Sequence, residues 1–323
     1  MDISIYQKSF LSYLEEQQII KHPKNLYEPI GYILKLGGKK IRPILTLIAA
    51  DVFSNSFTYA LPAAMAVEVF HNFTLVHDDI MDDAVIRRGQ KTVHEKWDIN
   101  TGILSGDGML ILAYKYFENY DANIFKKLIK LFTKTALEVC EGQQLDIDFE
   151  TRNNVTIEEY IEMIRLKTSV LIASALKMGA IIASATEKEA DLIYEYGVNL
   201  GIAFQLQDDY LDTFGNSATF GKQIGGDIIE NKKTFLYLKS LEISNKVDKN
   251  VLLDFYKNKE FNNELKIKEV TKIFKKNGIQ ELSKNQIDFY TYKAFASLEN
   301  LEISMKHKEI LKSFGTSLMS RSI

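Results

Sequence analysis

The chain carries a single cysteine, Cys140, among 323 residues. One cysteine excludes an intramolecular disulfide and any zinc site built from several thiolates, and it suits a reducing, cytoplasmic setting. Proline is nearly as scarce: Pro23, Pro29, Pro43 and Pro62 are the only four, and none follows. So long a stretch without proline is a poor match for turn-rich β-structure. Long apolar runs are missing as well. The run from Gly108 to Tyr114 falls far short of a membrane span, and the opening MDISIYQKSF lacks the basic-then-apolar build of a signal peptide. Positive charge is not in surplus either, since 40 Lys and Arg stand against 43 Asp and Glu for a net charge of −3. No overall cationic field is therefore available for nucleic acid or anionic lipid, and any anion site must be local. A soluble protein with no nucleic-acid partner and no stable membrane insertion is the expectation.

What is present points to helices. Hydrophobic residues make up 46% of the chain, enough for a sizeable core and too many for a disordered one. Ala66, Val69, Phe70 and Phe73 recur at three and four residues, as do Leu128, Leu131 and Phe132. Thr156 followed by Glu159 reads as a helix N-cap with a capping box. The fold class expected is all-α. No linker, low-complexity tract or solenoid repeat interrupts it, so residues 1–323 are expected to form one domain. The lysine- and asparagine-rich stretch from Asn245 to Lys284 reads as a solvated helical face.

Two clusters of aspartate stand out. His77-Asp78-Asp79-Ile80-Met81-Asp82-Asp83 follows one apolar helical stretch, and Gln207-Asp208-Asp209-Tyr210-Leu211-Asp212 follows another. Both read DDxxD. On a helix Asp78 and Asp82 stand one turn apart, as do Asp208 and Asp212, so each cluster presents carboxylates from one face. Like charges so placed repel unless a cation compensates. Magnesium suits the role, because it takes a few carboxylates and completes its octahedron with water and phosphate oxygens. One such cluster could equally be an acidic surface turn. Two, 130 residues apart and each near basic residues, point to metal-assisted chemistry on a phosphate.

Arginine use sharpens this reading. Only six of the 40 basic residues are arginine, and half of those lie in Gly37-Gly38-Lys39-Lys40-Ile41-Arg42 and Arg87-Arg88-Gly89. Arginine in a lysine-using chain fits bidentate phosphate recognition. Lys167-Thr168, Lys222 beside Gly221, and Lys232 ahead of Thr234 are further candidates, glycine allowing backbone N–H groups to approach a phosphate. No P-loop and no GxGxxG after a strand is present, so nucleotide-binding folds are not supported. His71 lies about two helical turns before Asp78.

Together these residues resemble the trans-polyprenyl diphosphate synthases, the polyprenyl synthetase family. The resemblance runs in order through GGKKIRP (37–43), His71, LVHDDIMDDA (75–84), RRG (87–89), KTVHEKW (91–97), ILSGD (103–107), Gly142-Gln143, Lys167-Thr168, FQLQDDYLD (204–212), FGKQIGGD (220–227) and KKT (232–234). It implies a single isoprenoid-synthase-type helical bundle around a central catalytic cavity, commonly a homodimer. By motif, Asp78 and Asp82 resemble the first-motif magnesium ligands and Asp208 the second-motif ligand, with Asp79, Asp209 and Asp212 in support. The resemblance implies three magnesium ions with bound diphosphate. Arg87, Lys167, Thr168, Gln205, Lys222 and Lys232 resemble the allylic-site residues, and Lys39, Arg42, His71 and Arg88 those holding isopentenyl diphosphate. Lys40 stands where the family more usually has arginine.

The activity implied is head-to-tail condensation: diphosphate leaves, the allylic C–O bond ionises, and the double bond of isopentenyl diphosphate attacks the cation. Loss of a proton completes a 1′-4 bond and lengthens the chain by five carbons. Water would quench the cation, so closure of Thr213 to Lys233 over the substrates is expected. The growing tail should descend beside the helix of Asp78, past Phe73 and Thr74 and then Phe70. In the family, bulk five residues before the first aspartate limits chain length, and that residue is Phe73. The pattern resembles enzymes making geranylgeranyl diphosphate, with farnesyl diphosphate the nearest alternative. A class I terpene cyclase would carry asparagine, serine or threonine, and glutamate in its second motif, where this chain has DDYLD. A noncatalytic subunit would have lost an aspartate motif or the basic pairs.

Overall fold

The computed structural model describes residues 3–215, 224–257 and 262–319. The fold is all-α, as expected, and the only strands among the described residues are Ile86–Arg87 and Gln90–Lys91. The chain divides into two compact units, residues 1–134 with 174–191, and residues 135–173 with 192–323. No described helix is long and apolar enough to cross a membrane.

The first unit contains α1 (Ser4–Glu16), α2 (Lys24–Lys35), α3 (Ile41–Ser54), α4 (Leu61–Met81), α5 (Val93–Lys96), α6 (Ile99–Tyr116) and the start of α7 (Ala122–Thr151). Helix α4 packs on α3 and α6. Met65, Val67, Val69 and Phe70 on it are at most 1% exposed, and a helix apolar on every face is a buried one. Pro62 sits in its first turn, where the missing N–H has no helical partner to lose. The helix ends at Met81 with Asp82 as C-cap, whose N–H still donates to Asp78 O at 2.9 Å. The first aspartate motif thus straddles the end of a core helix, and the one-turn spacing of Asp78 and Asp82 survives.

The second unit takes the rest of α7, α8 (Ile157–Ile164), a π-helical turn at Arg165–Ser169, and α9 (Val170–Ile182) and α10 (Glu187–Phe214) in part. It continues through α11 (Gly226–Ile229), α12 (Phe235–Ile243), α13 (Lys246–Lys257), α14 (Asn263–Lys276), α15 (Ile279–Glu299) and α16 (Met305–Met319). Tyr160, Leu206, Tyr210, Leu236, Phe274 and Ile279 belong to its apolar core. The capping box at α8 forms as expected: Glu159 N donates to Thr156 Oγ1 at 3.2 Å and Thr156 N to Glu159 Oε2 at 2.9 Å, a contribution of about 1 kcal/mol. Helix α7 meets the π turn at Gly142, where an added Cβ would lie 2.2 Å from Lys167 N. No side chain fits there, which explains glycine in the Gly142-Gln143 pair.

The Asn245–Lys284 stretch forms α13, α14 and the start of α15. Most of its lysines are exposed, as expected of a solvated face, but Lys266 is only 3% exposed.

Candidate active site

In the first unit the basic motifs gather at the end of α4. The Ile86–Lys91 hairpin turns on Arg88 and Gly89, both with positive φ (52° and 73°), the signature of a two-residue type I′ turn. The strands are two residues each, too short for any alternation to show in the sequence. Arg87 Nε donates to both carboxylate oxygens of Asp79, at 2.7 and 2.9 Å, and Arg87 Nη2 donates to Asp78 Oδ2 at 3.4 Å. Asp79 is 1% exposed. Its burial raises the carboxyl pKa against the opposing pull of Arg87. Burial works against the Arg87 charge too, but Asp79, Asp78 and Asp82 outweigh it and raise that pKa. Asp79 therefore orients Arg87, leaving Asp78 and Asp82 as the carboxylates at the rim.

Arg88 turns the other way. Its Nη1 donates to Leu36 O at 3.3 Å, and its guanidinium carbon lies 3.0 Å from where a Cβ on Gly38 would be, a glycine at φ 142°. Arg42 Nη1 donates to His71 Nε2 at 3.1 Å. A guanidinium has no acceptor, so that nitrogen carries the lone pair. Burial, with Arg42 and Arg88 nearby, holds the His71 pKa well below its ordinary value, so the ring is neutral. Burial also lowers Arg42 to about 10, Glu68 opposing and Arg88 adding to the fall. Lys39 is exposed beside this corner. Lys40, the departure from the family pattern, is 7% exposed and points inward. Its Nζ donates to Glu68 Oε1 at 2.9 Å, Leu34 O at 3.2 Å and Leu36 O at 3.4 Å. Lys40 braces the loop from within, and with Glu68 engaged, the corner around Arg42 and Arg88 is short of negative charge. Such a corner favours an anion.

Below Asp78 the rings stack along α4. Phe73, 8% exposed, lies edge-on to His77 (4.8 Å) and tilted against fully buried Phe70 (5.5 Å). Thr74 directs its hydroxyl to His71 O at 2.8 Å.

In the second unit a cleft is lined by Asp146, Tyr160, Lys167, Thr168, Gln205, Asp209, Asp227 and Lys232. Lys167 and Thr168 ride on the π turn, an interruption frequent at functional positions. Lys167 Nζ donates to Asp146 Oδ2 at 2.5 Å. Thr168 Oγ1 donates to Gln205 Oε1 at 3.1 Å, Gln205 Nε2 to Asp209 Oδ1 at 2.9 Å, and the Tyr160 hydroxyl to Asp209 Oδ2. Burial, with Asp208 and Asp212 close by, pushes the Asp209 carboxyl up to about 7. Burial likewise raises Asp227 well above the carboxylate range, Asp209 and Asp212 adding to it. Lys232 is raised too: burial opposes its charge, but Asp227 and Glu230 prevail. Asp212 ties the strand-free segment in place by accepting from Asp227 N at 3.0 Å through Oδ2 and from Gly225 N at 2.7 Å through its carbonyl. Lys222, and part of the segment expected to close, lie outside the described residues.

Sequence reasoning missed Asp146 and Tyr160, and it gave no role to Asp227, the last residue of the FGKQIGGD motif. Asp146 stands one turn after Gly142, a signal available in principle. Tyr160 lies 49 residues from its partner, and no local pattern announces it.

Both aspartate motifs fall at the C-terminal ends of their helices, α4 and α10, where the peptide dipoles already concentrate negative charge. Carboxylates there are mutually destabilising without a cation. Among the described residues no three acidic, histidine or cysteine side chains form a ready-made metal cage.

Comparison with known proteins places the chain in a family. The polyprenyl synthetase family model matches residues 23–274. A geranylgeranyl diphosphate synthase from Methanosarcina mazei is 42% identical over 238 residues, 73% of each chain. A geranylfarnesyl diphosphate synthase from Natronomonas pharaonis is 40% identical over 243 residues, 70% of this chain and 71% of its own. A solved geranylgeranyl pyrophosphate synthase superposes with a TM-score of 0.96 at 50% identity, covering all of both chains. With the motifs in order, the helical fold and the family match in agreement, the chain belongs to the polyprenyl synthetase family of prenyltransferases.

Proposed function

We propose that this chain joins isopentenyl diphosphate head to tail, by a 1′-4 bond, to an allylic diphosphate and releases an all-trans prenyl diphosphate of twenty carbons. The observation that carries the reading is the placement of both aspartate motifs at the negative ends of buried helices, with basic side chains nearby. Relatives bearing the names geranylgeranyl and geranylfarnesyl diphosphate synthase match almost equally well. Product length is therefore argued from Phe73 and not from overall similarity.

Arg42, Arg88 and Lys39 hold the diphosphate of the isopentenyl substrate, with neutral His71 accepting from Arg42 and adding no competing charge. Lys167, Thr168, Gln205, Lys222 and Lys232, with Arg87 in the first unit, bind and orient the allylic diphosphate. Asp78 and Asp82 in one unit and Asp208 in the other are the carboxylates that would hold magnesium, for which we propose three ions. Magnesium, when bound, offsets charge on the departing diphosphate. The basic side chains stabilise the same developing charge as the allylic C–O bond breaks. No side chain serves as nucleophile, and the proton lost from the carbon beside the new tertiary cation, whose C–H electrons form the new double bond, passes to the departed diphosphate. Apolar walls such as Phe73 and Phe70 keep water from the cation.

A homodimer is part of the proposal. Leu104 and Ile111 on α6 are 61% and 67% exposed, apolar surface that a second copy would cover. Purified protein incubated with magnesium, isopentenyl diphosphate and five-, ten- or fifteen-carbon allylic primers tests the activity, with dephosphorylated products sized by mass spectrometry. Twenty-carbon product is expected, fifteen would assign a farnesyl diphosphate synthase, and no elongation would overturn the reading.

A further inference from the structure

The segment from Gly225 to Thr234 carries Asp227 and Lys232 on very little regular structure. A single turn, α11, gives way to Asn231 in the left-handed region at φ 60°, and Lys232 N then donates to Asp227 O at 2.9 Å. Backbone of this kind does not hold its aim unaided. Helix α14 holds it from both ends with adjacent residues. Ile267 presses on Gly225 so closely that a Cβ there would lie 2.8 Å from its Cγ1. Lys266 reaches the far end, its Nζ donating to Asn231 Oδ1 at 2.6 Å and to Ile229 O at 3.2 Å.

The choice of lysine is informative. Lys266 is 3% exposed and among the described residues forms no ion pair. The face of the Tyr256 ring lies 5.3 Å from its ammonium, and that ring stacks on Tyr237 at 3.8 Å. Burial lowers the Lys266 pKa to about 8, a sign that the charge is poorly compensated. An aliphatic residue would fill the same space with less desolvation penalty. What it could not do is hold the two oxygen acceptors, the Ile229 carbonyl and the Asn231 side chain, together.

We propose that Lys266 is a positioning residue for the reaction: by clamping Ile229 O and the Asn231 side chain, it fixes the turn that aims the Lys232 ammonium at the allylic diphosphate. The proposal rests on the reading of Lys232 as a contact for that diphosphate. The clamp comes from the stretch whose composition reads as a solvated face, and it acts on the KKT motif without touching substrate.

Three single variants separate the clamp from general packing. Lys266→Met keeps the stem and removes the head, Lys266→Gln keeps two N–H donors without the charge, and Asn231→Gly removes the acceptor while suiting the left-handed turn. Steady-state kinetics and calorimetric binding of inorganic pyrophosphate with magnesium are read for each, with thermal midpoints as a check on folding. Lys266→Met should raise the allylic KM about tenfold, the factor that ~1.4 kcal/mol of lost orientation gives, with kcat and the isopentenyl KM within twofold. Pyrophosphate binding should weaken by a similar factor, Lys266→Gln should recover most of it, and Asn231→Gly combined with Lys266→Met should be no worse than either alone. An unchanged allylic KM, or equal rises in both KM values alongside a lower thermal midpoint, would overturn the clamp. A wild type that elongates nothing would instead defeat the reading of the reaction, and unchanged pyrophosphate affinity in Lys266→Met would then still overturn the clamp.

Discussion

Phe73→Ala should lengthen the product by one prenyl unit, to twenty-five carbons. Phe73 stands five residues before Asp78, about 7.5 Å down the axis of α4 at the helical rise. Its ring is 8% exposed and rests between His77 and Phe70. Phe70 lies about 4.5 Å deeper and is itself fixed edge to face by Phe132 at 5.0 Å, which Tyr114 and Phe117 flank at 4.8 and 5.1 Å. Removing one ring therefore opens about one turn of depth, and the Phe70–Phe132 layer remains as the next floor. The truncation costs about 3 kcal/mol, the low end for Phe→Ala because the ring is not fully enclosed, and lowers Tm by roughly 5 °C. Mass spectrometry of dephosphorylated products from a fifteen-carbon primer reads the outcome. Unchanged product length in a folded variant would show that Phe73 is not the floor. A ladder running well past twenty-five carbons would show that the Phe70–Phe132 layer does not stop the tail, and either result refutes the reasoning.

Gly142→Ala forces a Cβ within 2.2 Å of Lys167 N, so the variant should lose at least about 2–3 kcal/mol of stability and raise the allylic KM through the displaced π turn. A wild-type Tm and KM would mean that α7 can move aside. Asp209 has its carboxyl pushed up to about 7 by burial, above the unfolded value near 3.9. Its contribution to stability is therefore fully present below about pH 4 and lost as pH rises through about 7. Magnesium with pyrophosphate favours the charged form, so calorimetry in buffers of different ionisation heat should detect more proton release at pH 6 than at pH 8; equal release at both would contradict the assignment. Lys40→Met leaves Glu68, 1% exposed, without its cation. A loss of about 3–5 kcal/mol is expected, with a severalfold higher isopentenyl KM as the Gly38 loop loosens, and a thermal melt at the wild-type midpoint would count against the brace.

Much of this protein is legible in its sequence where the physics is local. Helical periodicity and missing proline mark the fold class, because both act within a few residues. The capping box at Thr156 and Glu159 and the one-turn spacing of Asp78 with Asp82 are likewise set by helix geometry alone. The family motifs point to most of the side chains near the two aspartate clusters. Long-range choices are invisible there. That Asp79 is engaged by Arg87, that Asp209 is held by Tyr160, and that Lys167 faces Asp146 depend on which helix surfaces meet. The Arg88-Gly89 turn escapes because two-residue strands carry no readable alternation. Lys40 and Lys266 look like solvated lysines by composition, yet packing draws one to Glu68 and the other to Ile229 and Asn231. Sequence alone determined which chemistry-bearing groups the chain carries and on which helices. Only the tertiary structure decided which charges are paired and which are buried, because burial and partner choice are properties of packed surfaces and not of spacing along a chain.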